Sequence, residues 1–295
     1  MLAVALWFAA GVVLSRGWKG AAAIGGVLHK WVLWAALPAL VLAKVPTMRL
    51  DSDAAVPVIA AWLCVGAGAA AVLIVARTSR WPGEVTGVML LLVPLGNTSF
   101  LGLPVVSSLL GEDHLPAALA FDQLGTFLAL ATYGTWVAAR YGNGDGRPAD
   151  VALRIATFPP FVALAASFLL RQWPLTDVAH DALRTVGSTV APAAMLATGL
   201  RLRVTRLEGR ACLVTTGLAL KMVLLPVLVV VLALVAGDIG SVAWRSAVAE
   251  AAMPPMVTAG IVAAGAGLDE ELATGLVAAG TVVGLLAAVL VSFVG

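Results

Sequence analysis

The stretch VPLGNTSFLGLP, residues 93–104, decides the fold, because prolines, glycines and polar residues interrupt a long apolar run there. Pro94 has no N–H to donate to the carbonyl of Leu90, and Gly96 adds backbone freedom beside it. Residues 97–99 are Asn, Thr and Ser, which are preferred at the start of a helix. We therefore expect one helix to stop near 94–96 and a second helix to begin near 97–99.

The composition around this stretch is that of a membrane protein. The chain has 295 residues, of which 61% are hydrophobic and 12% are charged, and its mean hydropathy is +1.01. Soluble domains typically carry about a quarter charged residues and roughly 45–50% apolar residues. These values exclude a disordered chain, a nucleic-acid-binding protein and an ordinary cytosolic enzyme. They predict an all-α integral membrane protein whose partner is the lipid bilayer.

Apolar runs separated by charged and turn residues predict ten transmembrane helices joined by short connections. The first run, Met1–Leu14, is shorter than the roughly 17–25 residues that a span needs, so we expect the true start of the protein upstream of Met1. The longest connection is the polar, glycine-rich segment Arg140–Asp150. The predicted helices are 1–15, 27–45, 55–76, 84–110, 115–139, 152–171, 182–201, 210–236, 241–266 and 271–294.

The distribution of Lys and Arg predicts the orientation, since cytoplasmic connections carry an excess of these residues. Twelve lie at the odd-numbered connections and five at the even-numbered ones, whereas Lys221 lies inside a predicted span. Both termini are therefore expected outside the cytoplasm. The twelve are Arg16, Lys19, Lys30, Arg77, Arg80, Arg140, Arg147, Arg154, Arg201, Arg203, Arg206 and Arg210, and the five are Lys44, Arg49, Arg171, Arg184 and Arg245.

The two halves of the chain, 1–139 and 151–295, carry prolines at matching positions around a central cytoplasmic loop, 140–150. Pro38 and Pro192 are 154 residues apart, and Pro94 and Pro254 are 160 apart. Five spans per half is an odd number, so the second half is inverted in the membrane relative to the first. Broken helices at matching positions, here helices 4 and 9, point to the binding site of a secondary transporter. The alternative is that prolines are simply common in membrane helices.

The first break offers groups that bind an anion. The half-helix that begins after it directs free N–H groups and the positive end of its dipole at the protein centre. Asn97, Thr98 and Ser99 add hydrogen-bonding side chains at the same place, so we expect them to bind a carboxylate. The alternative is a kink that these side chains cap without any ligand.

The second break, EAAMPPMVT at residues 250–258, offers oxygen ligands for a cation. Pro254 frees the carbonyl of Glu250, and Pro255 frees that of Ala251. A Glu carboxylate in hydrocarbon must be protonated, paired or bound to a cation. A coupling proton and a coupling Na⁺ fit equally well. The alternative is that Glu250 lies near the membrane surface and pairs with Arg245.

Further polar residues lie at membrane depth near these breaks. Asp122 is a second candidate for the coupling ion, and its neighbour Gln123 is a candidate for substrate binding together with Met256 and Thr258. A buried pair of Lys221 with Asp122 or Glu250 would either hold helices together or take part in coupling. No resident cofactor is expected, nor any metal other than a coupling Na⁺.

Two segments around the first break resemble a known family. GNTSFLGLP at 96–104, followed by FDQ at 121–123, is similar to the helix 4–5 signature of the auxin efflux carrier family, which includes bacterial malonate and other organic-acid permeases. LPAL at 37–40, Lys221 with Pro226, Ala251–Pro254 and Thr281 also resemble that family's pattern.

The resemblance implies ten helices in two inverted five-helix repeats with both termini outside. It implies a scaffold of helices 1, 2, 6 and 7, and a transport domain of helices 3–5 and 8–10 that moves small organic anions by elevator-like alternating access. Pro94, Asn97 and Pro254 would line the crossing of the two broken helices. It also implies a homodimer through the scaffold.

Glu250 resembles, in addition, the glutamate that the bile acid:sodium symporter family uses at a Na⁺ site. That family shares the fold but usually has more polar residues after the glutamate, where this chain has Pro254-Pro255. The resemblance leaves uniport, proton coupling and Na⁺ coupling open.

The function expected from the sequence is therefore a secondary carrier for a small organic anion, with a carboxylate as the expected class, in the cell (inner) membrane. The alternative is a Na⁺-coupled symporter. An intramembrane enzyme is disfavoured, because the chain lacks an H-E-x-x-H motif and a second buried Asp. A channel would differ from a carrier by flux that does not saturate with substrate.

Overall fold

Helices are the only regular secondary structure in the part of the chain that the computed structural model describes, residues 2–18, 20–47, 52–142, 159–173, 175–201 and 209–294. This is the expected outcome for apolar segments in lipid, because a helix satisfies its backbone N–H and C=O groups internally. In chain order the helices are α1 Leu2–Gly17, α2 Ala21–Lys44, α3 Ser52–Ser79, α4 Gly83–Leu92, α5 Thr98–Leu109, α6 Glu112–Tyr141, α7 Pro159–Leu170, α8 Asp177–Gly187, α9 Val190–Arg201, α10 Ala211–Val235, α11 Val242–Ala251, α12 Val257–Gly265 and α13 Glu270–Val294.

Five of the described helices, α2, α3, α6, α10 and α13, are long and apolar enough to cross a membrane. Shorter apolar helices accompany them, among them α4 and α5 on the two sides of the first break. Several predicted features lie outside the described residues: the loop positions 143–150, the helix start 152–158, and the basic residues Lys19, Arg49, Arg147, Arg154, Arg203 and Arg206.

The single helix predicted over 182–201 is wrong, because the structure has two helices there, α8 and α9. The hydroxyl of Thr176 caps α8 by accepting a hydrogen bond from the N–H of Ala179 (3.4 Å). Gly187 ends α8 where the chain runs against the backbone of Leu40, and a methyl group at Gly187 would lie 2.9 Å from Leu40 Cα. The sequence pattern missed the boundary because Gly187 is required by a contact with a distant helix.

One group of helices consists of α1, α2, α7, α8 and α9. α9 packs along α1 and α2, while α7 and α8 pack on the second half of α2. Gly11 and Gly199 face each other where α1 meets α9, and a methyl group at Gly11 would lie 2.9 Å from Gly199 Cα. Small residues at such contacts let membrane helices approach closely.

The remaining helices, α3–α6 and α10–α13, pack around the two breaks. α3 packs against α6 and α11, α4 against α6 and α12, and α13 against α10 and α12. The two groups share a buried apolar cluster, in which residues such as Leu37 and Met195 pack with Phe100 and Leu119, and two specific side-chain contacts also join them. The His29 ring stacks on the Phe100 ring with centroids 4.2 Å apart, and Lys44 Nζ lies 2.7 Å from Glu112 Oε2.

Candidate functional site

The two helix breaks lie against each other and pair through their backbones. Asn97 N–H donates to the Pro254 carbonyl (2.7 Å), and Met256 N–H donates to the Leu95 carbonyl (3.0 Å). Gly96 and Pro255 form an antiparallel bridge between these two hydrogen bonds. The breaks predicted separately from their prolines therefore form one crossover, from which α5 and α12 both begin.

The first break begins slightly earlier than predicted and ends where predicted. The last helical hydrogen bond of α4 runs from Val93 N–H to the Met89 carbonyl (2.9 Å), since Pro94 has no N–H. α4 therefore ends at Leu92 rather than within 94–96. α5 begins at Thr98, inside the predicted range.

The carbonyls that lose their helical donor at the prolines accept hydrogen bonds from other groups of the protein. The Tyr133 hydroxyl donates to the Leu90 carbonyl (2.9 Å), and Lys221 Nζ donates to the Ala251 carbonyl (2.8 Å). The Glu250 carbonyl accepts from Met253 N–H (3.1 Å). Both carbonyls of the second break that were expected for a cation thus accept hydrogen bonds from the protein.

Asp122 is fully buried and accepts hydrogen bonds from three side chains. The Ser99 hydroxyl lies 2.6 and 2.7 Å from its two oxygens, and Gln123 Nε2 lies 2.7 Å away. The Thr98 hydroxyl also donates to it. Thr98 and Ser99, expected to bind substrate, therefore hold the start of α5 against α6. The alternative in which they cap their own helix is not what the structure has, because their hydroxyls donate to Asp122 on α6.

Other buried polar atoms of the crossover have no hydrogen-bond partner within the described residues. They are both side-chain atoms of Asn97, both carboxylate oxygens of Glu250, Gln123 Oε1 and Thr258 Oγ1. Glu250 is 0% exposed, whereas Arg245 is exposed on the same helix. The alternative that placed Glu250 near the surface in a pair with Arg245 is wrong.

Two glycines leave room for charged side chains at the crossover. A methyl group at Gly102 would lie 2.7 Å from Glu250 Cδ, and one at Gly96 would lie 3.2 Å from Lys221 Nζ. The Glu250 carboxylate therefore lies against α5, and the Lys221 ammonium lies beside the first break. Met256, expected to bind substrate, packs its buried side chain in an apolar cluster with Leu95 and Ala259.

Many of the residues that build the site lie in widened, π-helical turns. Thr98–Gly102, Phe121–Phe127 and Leu220–Leu224 are such turns, and they carry Thr98 and Ser99, Asp122 and Gln123, and Lys221. π-helical turns inside α-helices are frequent at functional sites. The sequence did not reveal Tyr133 or Gly102 as part of this region. The signal for Tyr133 was a hydroxyl in an apolar span, and that for Gly102 was its place in the GNTSFLGLP signature at 96–104.

The family model described as "Membrane transport protein" matches residues 24–145 and 148–292, which include both breaks and every candidate site residue. The chain belongs to this membrane transport family. This family is the auxin efflux carrier family, whose helix 4–5 signature the sequence resembles. Membership makes the chain a transporter rather than an enzyme, and a multi-pass membrane protein.

Two curated relatives are similar to this chain. One, an uncharacterized transporter of Methanocaldococcus jannaschii, is 29% identical over 185 residues, a match that covers 60% of this chain and 59% of that relative. Another, an uncharacterized transporter of Methanothermobacter thermautotrophicus, is 26% identical over 263 residues, covering 88% of this chain and 85% of the relative. Both names describe transporters, in agreement with the family match.

Proposed function

We propose that this family member is a secondary carrier that moves a small organic anion, with a carboxylate as the expected class, across the cell membrane. The observation that carries the proposal is the crossover, where α5 and α12 both begin beside the side-chain amide of Asn97, which has no hydrogen-bond partner among the described residues. Asn97 is 1% exposed. A buried polar group without a partner costs about 1–3 kcal/mol, so a ligand that bonds with it recovers that free energy.

The charges around the crossover favour an anion. The starts of α5 and α12 present the positive ends of their dipoles, and the Lys221 ammonium lies beside Gly96. Asn97 Nδ2 and Thr258 Oγ1 add two donors without partners among the described residues. A carboxylate at this position would accept hydrogen bonds from these groups.

The coupling ion is proposed to act at Glu250, with Asp122 nearby. Asp122 has three side-chain donors, whereas no described residue donates to Glu250. Glu250 therefore needs a proton or a cation to compensate its charge. The alternative function, a Na⁺-coupled symporter, would place Na⁺ on Glu250 and on the carbonyl of Ala251.

The architecture proposed for transport is ten helices in two inverted repeats, 1–139 and 151–295, with a scaffold and a moving transport domain. The two packing groups described above support this division. In an elevator movement the contacts Lys44–Glu112 and His29–Phe100 would separate, because each joins the two groups. The charge distribution favours both termini outside the cytoplasm, and an active alkaline phosphatase fused to the C-terminus would support that orientation.

Uptake into proteoliposomes tests the anion site. Malonate, other short carboxylates and an indole acid are offered with and without a Na⁺ gradient at fixed pH. Asn97→Ala should abolish saturable uptake while the protein elutes as a folded species. The matched control is Asn143→Ala, the other asparagine of the chain. Wild-type uptake in Asn97→Ala would refute the site, and flux that never saturates would favour a channel.

The same assay tests the coupling role of Glu250. Glu250→Gln should remove the dependence of uptake on a proton or Na⁺ gradient, because the amide does not ionise. Glu84→Gln is the control, since Glu84 is exposed at the start of α4. An unchanged gradient dependence in Glu250→Gln would contradict the coupling role.

A cross-link tests the elevator movement. Cysteines replace Lys44 and Glu112 in a chain in which Cys64 and Cys212 are changed to alanine, and a short bifunctional maleimide joins them. The cross-link should stop uptake, because it prevents the two groups from separating. Full uptake by the cross-linked protein would contradict an elevator mechanism.

A further inference from the structure

The second break contains a carbonyl that the helix itself cannot satisfy. Pro255 has no N–H, so the carbonyl of Ala251, four residues earlier, has no helical donor. Ala251 is 1% exposed, which excludes water from the bulk. Lys221 Nζ fills this position at 2.8 Å, although it comes from α10, thirty residues earlier in the chain.

The Lys221 ammonium is fully enclosed in the protein at this position. The residue is 2% exposed, and no carboxylate of the described residues lies within 4.0 Å of its nitrogen. Glu250 and the Cys64 thiol are the titratable groups that interact with it electrostatically. Gly96 of the first break lies on its other side, where a methyl group would be 3.2 Å from Nζ.

The Lys221 ammonium donates to a backbone carbonyl and not to a carboxylate, which is the kind of contact that a bound cation would make. Carbonyl and carboxylate oxygens are the ligands of hard monovalent and divalent cations in proteins. At the second break such oxygens are the Ala251 carbonyl and the nearby Glu250 carboxylate. A covalently attached ammonium at this position supplies positive charge at the Ala251 carbonyl without a mobile ion, whereas the Glu250 carboxylate, which it does not contact, still needs a proton.

We propose that Lys221 is a tethered cation: its ammonium takes the place that a coupling Na⁺ would occupy at the Ala251 carbonyl. In this position the ammonium lies between the two breaks and keeps the second break from closing into a continuous helix. Transport by the wild-type protein then does not require Na⁺. When the ammonium is removed, the vacated position binds a small cation from solution.

The test compares two substitutions of Lys221 that differ in the space they leave. Lys221→Ala leaves a cavity that a small ammonium ion can enter, whereas Lys221→Met fills the space without charge. Lys30→Ala is the control, because Lys30 is exposed on α2. Each protein is purified, and its melting temperature and its malonate uptake are measured in methylammonium chloride, sodium chloride and choline chloride.

Both Lys221 variants should melt below wild type and lose roughly tenfold or more in uptake, the change that corresponds to one buried acceptor left unpaired. Methylammonium should raise the melting temperature and uptake of Lys221→Ala but not of Lys221→Met, wild type or Lys30→Ala. Choline is too large to enter and should have no effect. A structural role of the lysine stem alone would give no recovery with methylammonium.

Three results would overturn the proposal: wild-type uptake that requires Na⁺, a Lys221→Met protein equal to wild type, or a methylammonium effect of the same size in every variant. If neither Lys221 variant can be purified, both are expressed and extracted in methylammonium chloride. Folded Lys221→Ala obtained only with methylammonium supports the tethered cation, and continued failure of Lys221→Ala there contradicts it.

The uptake measurement rests on the proposed carrier function, whereas the melting temperature does not. Wild-type protein that transports no offered anion would contradict the proposed substrate class. The response of Lys221→Ala to methylammonium would still decide whether Lys221 is a tethered cation.

Discussion

A methyl group added at Gly125 should push α6 away from α3. The built position of that methyl carbon overlaps the Cβ of Ala61 and lies 3.7 Å from Ala61 Cα. Non-bonded carbons pack at about 3.5–4.0 Å, and neither carbon can rotate away, because each is attached directly to a helix backbone. Overpacking typically costs about 1–3 kcal/mol, and this direct carbon–carbon overlap lies in the upper part of that range, at about 2–3 kcal/mol. Alanine's higher helix propensity returns up to about 1 kcal/mol, so the net loss should be about 1–2 kcal/mol.

The displacement should also impair transport, because α6 carries Asp122 and Gln123 close to Gly125. The Trp62 indole donates to the Leu124 carbonyl (3.1 Å) beside the same contact, so α3 sets the position of this turn. We therefore expect Gly125→Ala to reduce uptake as well as the free energy of unfolding, which is measured by denaturant titration in mixed micelles.

The double variant Gly125→Ala/Ala61→Gly moves one methyl group from α3 to α6 and removes the overlap. Ala61→Gly alone should lose about 1 kcal/mol of helix propensity, whereas the double variant should lie near wild type, which is a coupling of roughly 2–3 kcal/mol. Gly66→Ala on α3 is the control, since, among the described residues, no atom beyond its own turn of the helix lies within 4 Å of the added methyl group. Additive losses in the double variant would refute the close approach of α3 and α6.

Two further predictions concern side chains that donate to or accept from the backbone. Tyr133→Phe should lower the free energy of unfolding by about 1–3 kcal/mol, because it leaves the carbonyl freed by the first proline without a donor. Tyr141→Phe, the chain's other tyrosine, should change it little, and equal effects in an unfolding titration would contradict the assigned role. Asp269→Ala should cost about 1–2 kcal/mol, since the Asp269 carboxylate caps α13 by accepting from Leu272 N–H (3.0 Å) and also pairs with Arg210 (2.8 Å). Glu271→Ala should cost less, because Glu271 contributes only an exposed ion pair with the same Arg210, and the reverse order would contradict the combined role of Asp269 as cap and ion-pair partner.

The class of protein and the places where its helices break were predictable from the sequence. Composition alone placed the chain in a membrane, and the family match agrees. The breaks follow from covalent structure, since a proline lacks an N–H wherever it occurs, and α5 begins at Thr98 as predicted. The polar side chains at membrane depth were also predictable, because a polar residue within an apolar run can be identified from the sequence directly.

The partners of those groups were decided only by the tertiary structure. Thr98 and Ser99 were expected to face a ligand but donate to Asp122, and Lys221 was expected to pair with a carboxylate but donates to a carbonyl. The boundary between α8 and α9 depends on Leu40 of α2 in the same way.

The physical reason is that a proline determines which carbonyl loses its donor, but not which group replaces it. The replacement is whichever donor the packing of distant helices brings within about 3 Å, as with Tyr133 at the first break, forty-three residues along the chain from the Leu90 carbonyl. Pairing of the two breaks likewise needs both halves of the chain folded, because its hydrogen bonds join Leu95 and Asn97 to Met256 and Pro254. The sequence thus determined the chemical needs of the site, and the packing of the helices determined how each need is met.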